Sequence, residues 1–394
     1  MIQRSYYKIL SKRINEPRKF IQVLYGPRQV GKTTLVSQYL KQTDIPYVFE
    51  TADDIVGSDA TWLRKVWSSA RRLSKQAGRG VLLVVDEVQK VSNWSEVVKK
   101  EWDTDTFDEA DIKVVLLGSS SLLIQQGLTE SLAGRYEATY IPHWSYAEMN
   151  EAFGMSVDDY IWFGGYPGSA SLIGDEQRWK RYVRDSLIET SISKDVLMLT
   201  RIDKPALLKR LFEIGCLYSA QILSLTKVQG ELMEKGNITT LGSYLNLLDS
   251  AGLLCGLEKY AGDIIRKRAS KPKFQVYNNA LLSAQDVLSR DEVQRDGKAW
   301  GRYFESAVGS HLLNASKTGD FNLYYWNENS QEVDYVLERG GRTVAVEVKS
   351  GKDSTNVGMS IFDNMYHPVR LYTVGTDGMP IEEFLRTDPK ELFS

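Results

Sequence analysis

A chain of 394 residues is too long for a single hydrophobic core, so two or three domains are expected. The composition, 42% hydrophobic and 25% charged, excludes a disordered chain, and the formal net charge of −2 excludes a uniformly basic nucleic-acid binder. The apolar run at 81–85 is far shorter than the ~20 residues of a membrane span, and the N-terminus lacks the apolar stretch of a secretion signal. We therefore expect a cytoplasmic protein without membrane contact. Two cysteines and three scattered histidines support neither a disulfide framework nor a zinc site.

The first predicted strand leads into a phosphate-binding loop. Residues 20–25 have the composition of a buried strand, and residues 26–33 read Gly-Pro-Arg-Gln-Val-Gly-Lys-Thr, a complete G-x-x-x-x-G-K-[ST] pattern. In such a loop two glycines let the backbone N–H groups point at one anion, Lys32 reaches the outer phosphates, and the Thr33 hydroxyl can hold Mg²⁺. Residues 34–40 then continue as a helix whose positive end faces the phosphates. The predicted ATP contacts are Gly26, Pro27, Arg28, Gln29, Val30, Gly31, Lys32, Thr33 and Thr34.

A second buried strand ends in an acid pair. Residues 81–85 are apolar and are followed by Asp86 and Glu87, at a distance of ~50 residues from the loop. Asp86 is expected to hold Mg²⁺, directly or through water, and Glu87 to polarise the attacking water as general base. The pair therefore predicts ATP hydrolysis rather than ATP binding alone.

Two further polar residues are candidates for the same site. A third apolar strand, residues 113–117, runs into Gly-Ser-Ser-Ser at 118–121. Ser119 can sense the γ-phosphate there, because ligands sit at the carboxyl ends of parallel strands, and the alternative is a serine that only forms a turn. Arg135 follows Gly134 and can stabilise charge on the transferring phosphoryl group, in cis or from a neighbouring subunit. The alternative for Arg135 is a surface ion pair.

These motifs, in this order, resemble a known family. They are the loop at 26–34, the acid pair, the strand end at 118–120, Leu-Ala-Gly-Arg at 132–135 and Gly-Gly-Tyr-Pro at 164–167. Together they resemble the bacterial and archaeal AAA-type ATPases whose C-terminal half is a domain of unknown function. The resemblance covers nearly the whole chain. One departure is Asn278, where we would expect an aspartate.

The resemblance implies an α/β fold with four parts. These are an AAA-type P-loop NTPase domain with a parallel sheet at 1–150, a helical connector or lid at 151–210, a winged-helix domain with a basic linker at 211–294, and a small restriction-endonuclease-like α/β domain at 295–394. The ATPase domain is expected to be of the additional-strand, catalytic-glutamate kind.

The middle of the chain predicts a helix-turn-helix with a wing. Residues 225–233 form one short helix, a turn follows at 235–237, and Thr239 or Thr240 caps a second helix that Gly252 ends, before a wing strand at 253–257. The exposed side of the second helix is polar but uncharged, which predicts few phosphate contacts. Five of the eight residues at 266–273 are basic and can follow a duplex DNA backbone or an acidic partner. The alternative is a solvated loop.

The C-terminal part contains four residues with the spacing of a nuclease core. Glu305 lies on a predicted helix, Asp334 on a strand, and Glu347 and Lys349 on one face of the next strand. Asp334 and Glu347 can share a divalent ion, with Lys349 stabilising the attacking water, and the order looks like the PD-(D/E)xK core. The alternatives are charged residues on an exposed strand edge, or a domain that keeps the fold without cutting. The 11 basic and 15 acidic residues at 295–394 give a formal charge of −4, which steers DNA poorly.

The preferred hypothesis is a Mg²⁺-dependent ATPase that uses ATP binding and hydrolysis as a switch on its winged-helix and nuclease-like parts. The alternatives are an ATP-gated DNA nuclease, and a nucleotide-sensing module that docks a protein partner without chemistry on nucleic acid. A homo-oligomer is expected if Arg135 acts in trans, and a monomer is possible if it does not.

Overall fold

Five parallel strands form the sheet of the first unit, Met1–Ile141. The computed structural model describes residues 2–54, 60–119, 124, 127–129, 131–196, 202–232, 237–261, 270–351 and 357–394. The strand order is β2-β3-β4-β1-β5, and every neighbouring pair is parallel. The strands are Ile21–Tyr25 (β1), Tyr47–Thr51 (β2), Val81–Asp86 (β3), Ile112–Gly118 (β4) and Tyr136–Tyr140 (β5). The predicted α/β fold with a parallel sheet is thereby confirmed, and β4 lies between the loop strand β1 and the acid-pair strand β3.

Helices cover both faces of this sheet, which explains the continuous apolar runs of its central strands. Successive residues of β3 enter opposite cores: Leu83 packs into one, and Leu82 and Val84 pack into the other. The first core includes Trp67 from α3, and the second includes Val36 from α2. The helices described in this unit are Tyr6–Asn15 (α1), Lys32–Leu40 (α2), Ala60–Ala77 (α3) and Trp94–Phe107 (α4).

The second unit, Pro142–Ser394, contains two further sheets. A three-stranded antiparallel sheet has the order β6-β8-β7, and a four-stranded sheet has the order β12-β11-β10-β9. Their strands are Gln221–Ile222 (β6), Leu254–Leu257 (β7), Lys273–Val276 (β8), Asn322–Glu328 (β9), Gln331–Arg339 (β10), Arg342–Lys349 (β11) and Arg370–Gly375 (β12).

Helices make up most of the remainder of this unit. The segment predicted as a connector contains short helices and two π-helical stretches, Val183–Ile188 and Ser191–Val196. The α-helices described here are Tyr146–Phe153 (α5), Val157–Phe163 (α6), Glu176–Tyr182 (α7), Pro205–Leu217 (α8), Leu225–Glu231 (α9), Ile238–Ser250 (α10), Ala280–Ser283 (α11), Arg290–Arg295 (α12), Gly297–Ser316 (α13), Val357–Tyr366 (α14) and Ile381–Arg386 (α15). Throughout the described ranges, no helix has the length and apolar character needed to cross a bilayer.

The predicted helix-turn-helix segment folds as two helices, α9 and α10, followed by strand β7. The cap of α10 differs from the prediction, because the Asn237 side chain accepts from Thr239 N at 3.2 Å and the helix begins at Ile238. Asparagine binds the free N–H groups of a helix start as well as threonine does, so either type can cap. Residues 233–236, which include part of the predicted turn, lie outside the described residues.

Helix α13 packs against the four-stranded sheet through an apolar core. Val308 and Leu312 from the helix lie in one cluster with Leu337 of β10 and Val344 of β11. The β9–β10 register shifts between Val333 and Val336, next to Asp334. This irregularity locally changes the direction of the strand beside the predicted nuclease-like residues.

Candidate functional site

The loop between β1 and α2 has the backbone that its glycines predict. Gly26 has φ +149°, and a Cβ placed there would lie 2.2 Å from the Ile141 carbonyl oxygen, so only glycine fits. Gly31 has φ +88° and directly precedes the helix that begins at Lys32. The chain therefore turns tightly from the end of a strand into a helix N-terminus, which is a favourable place for an anion.

Lys32 lies across this loop. Its side chain is 7% exposed, and Nζ donates to the carbonyl oxygens of Gly26 and Pro27 at 2.9 and 2.7 Å. Val30 is buried in the core beside α2, whereas Gln29, Thr33 and Thr34 are exposed around the loop. The Lys32 ammonium is thus bound by carbonyl oxygens of the loop itself.

Thr33 and Asp86 are brought together at the carboxyl end of the sheet. Thr33 Oγ1 donates to Asp86 Oδ2 at 2.7 Å, and Glu87 N donates to Asp86 Oδ1 at 2.9 Å. Burial raises the pKa of Asp86, while the hydrogen bond from Thr33 opposes this shift. A hydroxyl and a carboxylate side by side are oxygen ligands of the kind that Mg²⁺ takes, so the predicted metal ligands fit the ion.

Glu87 is held by two polar side chains. Its Oε2 accepts from Ser119 Oγ at 2.9 Å and from Gln89 Nε2, and Gln89 Nε2 also lies 3.3 Å from Ser119 Oγ. Glu87 has φ +51°, a conformation that non-glycine residues adopt rarely and that is enriched at functional sites. Ser120 and Ser121 lie outside the described residues.

Sequence reasoning missed Gln89. The only signal was a polar side chain three residues after Asp86, at the end of an apolar strand. The structure places this buried side chain against both predicted residues, Glu87 and Ser119. Gln89 thereby fixes the position of the carboxylate that is predicted to act as general base.

Arg135 lies away from the loop of its own chain. Its Nε and Nη2 donate to the two carboxylate oxygens of Asp103 at 2.7 and 3.0 Å, in a half-exposed ion pair. The Arg135 carbonyl accepts from Ile21 N at the start of β1, whereas the loop follows the end of that strand. Five strand residues span about 13 Å, so Arg135 is near the amino-terminal end of β1, and the loop is at the carboxyl-terminal end. The ion-pair alternative is what the structure contains, and a role in trans stays a prediction.

Two of the four C-terminal candidates contact Lys273, a residue that the sequence analysis assigned to the basic stretch at 266–273. Lys273 Nζ lies 2.7 Å from Glu305 Oε1 and 3.4 Å from Asp334 Oδ1, and Asp334 Oδ2 accepts from Val348 N at 2.8 Å. Burial, with the negative charge of Asp334, raises the pKa of Glu305 to about 8.

Glu347 and Lys349 form a separate ion pair. Their Oε1 and Nζ lie 2.5 Å apart. Burial, again with the charge of Asp334, raises the pKa of Glu347 to about 7. The structure thus brings the four predicted residues into one region but not into one metal-binding set.

The predicted basic cluster is only partly described. Residues 262–269, with Arg266, Lys267 and Arg268, lie outside the described residues, and Lys271 is exposed. Lys273 is fully buried, so its assignment to a surface that follows a DNA backbone is wrong. The exposed side of α10 carries Ser243 and Asn246, which agrees with the predicted uncharged face.

A parallel sheet with a phosphate-binding loop after one strand and an acid pair after another defines the P-loop class of nucleotide-binding proteins. The family profile of the AAA domain matches residues 18–150, so this part of the chain has an AAA-type P-loop fold. Two further profiles match the rest: a domain of unknown function, DUF8612, at 155–292 and another, DUF4143, at 300–383. No curated protein matches the chain.

Three of the solved structures that match this chain are the following. The Walker-type ATPase PABY2304 of Pyrococcus abyssi is 12% identical, with a TM-score of 0.49 over 72% of this chain and 96% of that one. The RuvB Holliday junction branch migration motor of Thermotoga maritima is 18% identical, with a TM-score of 0.33 over 64% and 85%. The Orc1 protein of Aeropyrum pernix in complex with DNA is 12% identical, with a TM-score of 0.32 over 71% and 90%.

Proposed function

We propose that this protein is a Mg²⁺-dependent ATPase whose nucleotide state switches its C-terminal unit, and that it acts on duplex DNA. The observation that carries the ATPase proposal is the convergence of Thr33, Asp86, Glu87 and Ser119 beside the loop that contains Lys32. Each of these groups has a chemical task that phosphoryl transfer to water requires.

The roles of the residues follow from their present contacts. The backbone N–H groups of the loop bind the phosphates, and Lys32 exchanges the carbonyl oxygens of Gly26 and Pro27 for phosphate oxygens. Thr33 and Asp86 would hold Mg²⁺, which would neutralise charge on the phosphates. Glu87 orients and polarises the attacking water, while Ser119 and Gln89 keep its carboxylate in position.

The DNA proposal rests on the two helices α9 and α10, with the strand β7 after them, and on the basic residues at 266–268. Winged helices place their second helix in a DNA groove or against protein. Because the exposed face of α10 has no charge, the neighbouring basic segment supplies the phosphate contacts in this proposal. A protein partner is the alternative for this surface, and the cytoplasmic location stays a prediction.

Nucleotide binding is tested by calorimetry with Mg²⁺ and ATP on the full chain. Lys32→Ala is expected to lower the affinity at least about a hundredfold, because the ammonium that contacts the outer phosphates is lost. Lys41→Ala is the matched control, since Lys41 is exposed at the other end of the same helix. Equal affinities of wild type and Lys32→Ala would refute the binding site.

DNA action is tested by fluorescence anisotropy of a labelled duplex with ADP and with a non-hydrolysable ATP analogue. We expect the affinity to depend on both the nucleotide and the salt concentration, and to fall when 266–268 are changed to alanine. Nucleotide-dependent capture of a protein, without any salt-dependent DNA binding, would instead support the protein-docking alternative.

A further inference from the structure

The acidic residues of the C-terminal region surround a buried ammonium. Lys273 lies on β8 with its side chain fully buried, and its Nζ is 2.7 Å from Glu305 Oε1, 3.1 Å from Glu332 Oε1 and 3.4 Å from Asp334 Oδ1. The same Nζ lies 3.3 Å from the Asp334 carbonyl oxygen and 4.9 Å from the centre of the Tyr335 ring. Three acidic side chains, one from α13 and two from β10, thus surround one ammonium.

This arrangement does not fit a divalent cation. Mg²⁺ takes a near-octahedral set of oxygen ligands at about 2.1 Å, whereas these oxygens are spaced around an ammonium. Among the side chains that the structure describes, no group of three or more His, Cys, Asp and Glu residues is arranged to hold a metal ion. A divalent ion among the carboxylates of Glu305, Glu332 and Asp334 would also be repelled by Lys273.

The backbone around Lys273 keeps its side chain in this position. Lys273 is paired with Ile222 of β6 on one side and with Leu257 of β7 on the other. Gln275, two residues further along the strand and therefore on the same face, donates to the Ser306 carbonyl at 2.9 Å. Withdrawal of the ammonium would leave the clustered acidic side chains of Glu305, Glu332 and Asp334 without a counter-charge, which strongly disfavours that movement.

We propose that the Lys273 ammonium permanently occupies the place that a divalent ion takes in a nuclease core. The cluster then joins β8 to α13 and β10, and the region does not cleave phosphodiester bonds with a metal ion. Glu347 pairs with Lys349 at 2.5 Å, and among the described residues it belongs to no group of three or more side chains arranged to hold a metal ion. The proposal does not depend on ATP hydrolysis by the first unit.

The first test is a Mn²⁺ titration of the nucleotide-free full chain, in which the electron paramagnetic resonance signal measures free Mn²⁺. Every protein in this titration also carries Asp86→Asn, which removes the proposed metal ligand of the nucleotide site. We expect Asp334→Asn to leave Mn²⁺ binding unchanged within about twofold, and no plasmid cleavage with Mn²⁺ and ATP. One Mn²⁺ per chain that Asp334→Asn abolishes, or cleavage that Asp334→Asn abolishes, would overturn the proposal.

The second test removes the ammonium. In Lys273→Met, Mn²⁺ is expected to raise Tm by about 5–10 °C at saturation, because the ion replaces the lost charge. Wild type should show no such shift, and neither should Lys271→Met, which makes the same change at an exposed lysine two residues away. A folded Lys273→Met protein that does not respond to Mn²⁺ would overturn the proposal. Should Lys273→Met fail to fold, the comparison of wild type with Asp334→Asn decides.

Discussion

Replacing Thr33 with valine is expected to weaken ATP binding only when Mg²⁺ is present. Valine keeps the branched shape but removes the hydroxyl that donates to Asp86 Oδ2 at 2.7 Å. The same hydroxyl is proposed to hold Mg²⁺, and removing a group that supports a bound metal ion typically lowers the affinity about 10–100-fold; we take the lower end because Thr33 is exposed. A loss of about 1.4 kcal/mol corresponds to a Kd for MgATP that is about tenfold higher. Without Mg²⁺ the loop amides and Lys32 remain, so Kd should change less than about threefold.

The assay is isothermal titration calorimetry with ATP in Mg²⁺ and again in EDTA. Thr34→Val is the matched control, because Thr34 is the next exposed residue of the same helix and acts through a backbone N–H that valine keeps. An equal loss of affinity in Mg²⁺ and in EDTA would refute the assignment of the Thr33 hydroxyl to the metal. So would a loss of the same size in Thr34→Val.

Three other changes test particular contacts. If Arg135 acts in trans, Arg135→Ala should lower ATP turnover at least about tenfold without changing nucleotide affinity. Asp103→Ala breaks the same ion pair but should not lower turnover, and equal turnover in the two variants refutes that role. Asn278→Asp should lower the free energy of unfolding by about 1–3 kcal/mol in urea, because a carboxylate cannot donate to His143 Nδ1, and unchanged stability would contradict this. Burial lowers the pKa of His311 from 6.5 to about 4, so the unfolded chain takes up the proton first as pH falls. Stability should therefore drop by about 3 kcal/mol between pH 7 and pH 4, and His311→Phe should lack this drop in acid denaturation.

The sequence predicted secondary structure best where the local residue pattern reflects how deeply a strand is buried. Strands β1, β3 and β4 are central and covered on both faces, so their apolar runs are visible without tertiary information. The loop at 26–33 and the acid pair depend on short spacings along the chain. The edge strands β2 and β5 are partly exposed, carry mixed side chains, and were not predicted.

Contacts between distant segments could not be predicted. Lys273 and Glu305 are separated by 32 positions, and a lysine within a basic stretch is ordinarily exposed, so its burial follows only from the pairing of β8. Arg135 was a reasonable candidate because it follows a glycine turn. The parallel pairing of β5 with β1 places it beside the start of β1, at the end of the strand away from the loop. The asparagine at 278, where an aspartate was expected, uses both ends of its amide: Oδ1 accepts from Gly165 N, and Nδ2 contacts His143 Nδ1.

The most direct test of the central claim is the rate of phosphate release from ATP by purified Glu87→Gln, with the affinity for MgATP measured on the same sample. Glutamine keeps the size of the side chain and the contact with Ser119 but cannot accept a proton from water. The account predicts an affinity within about threefold of wild type and turnover reduced at least about a hundredfold. Turnover equal to that of wild type would contradict it.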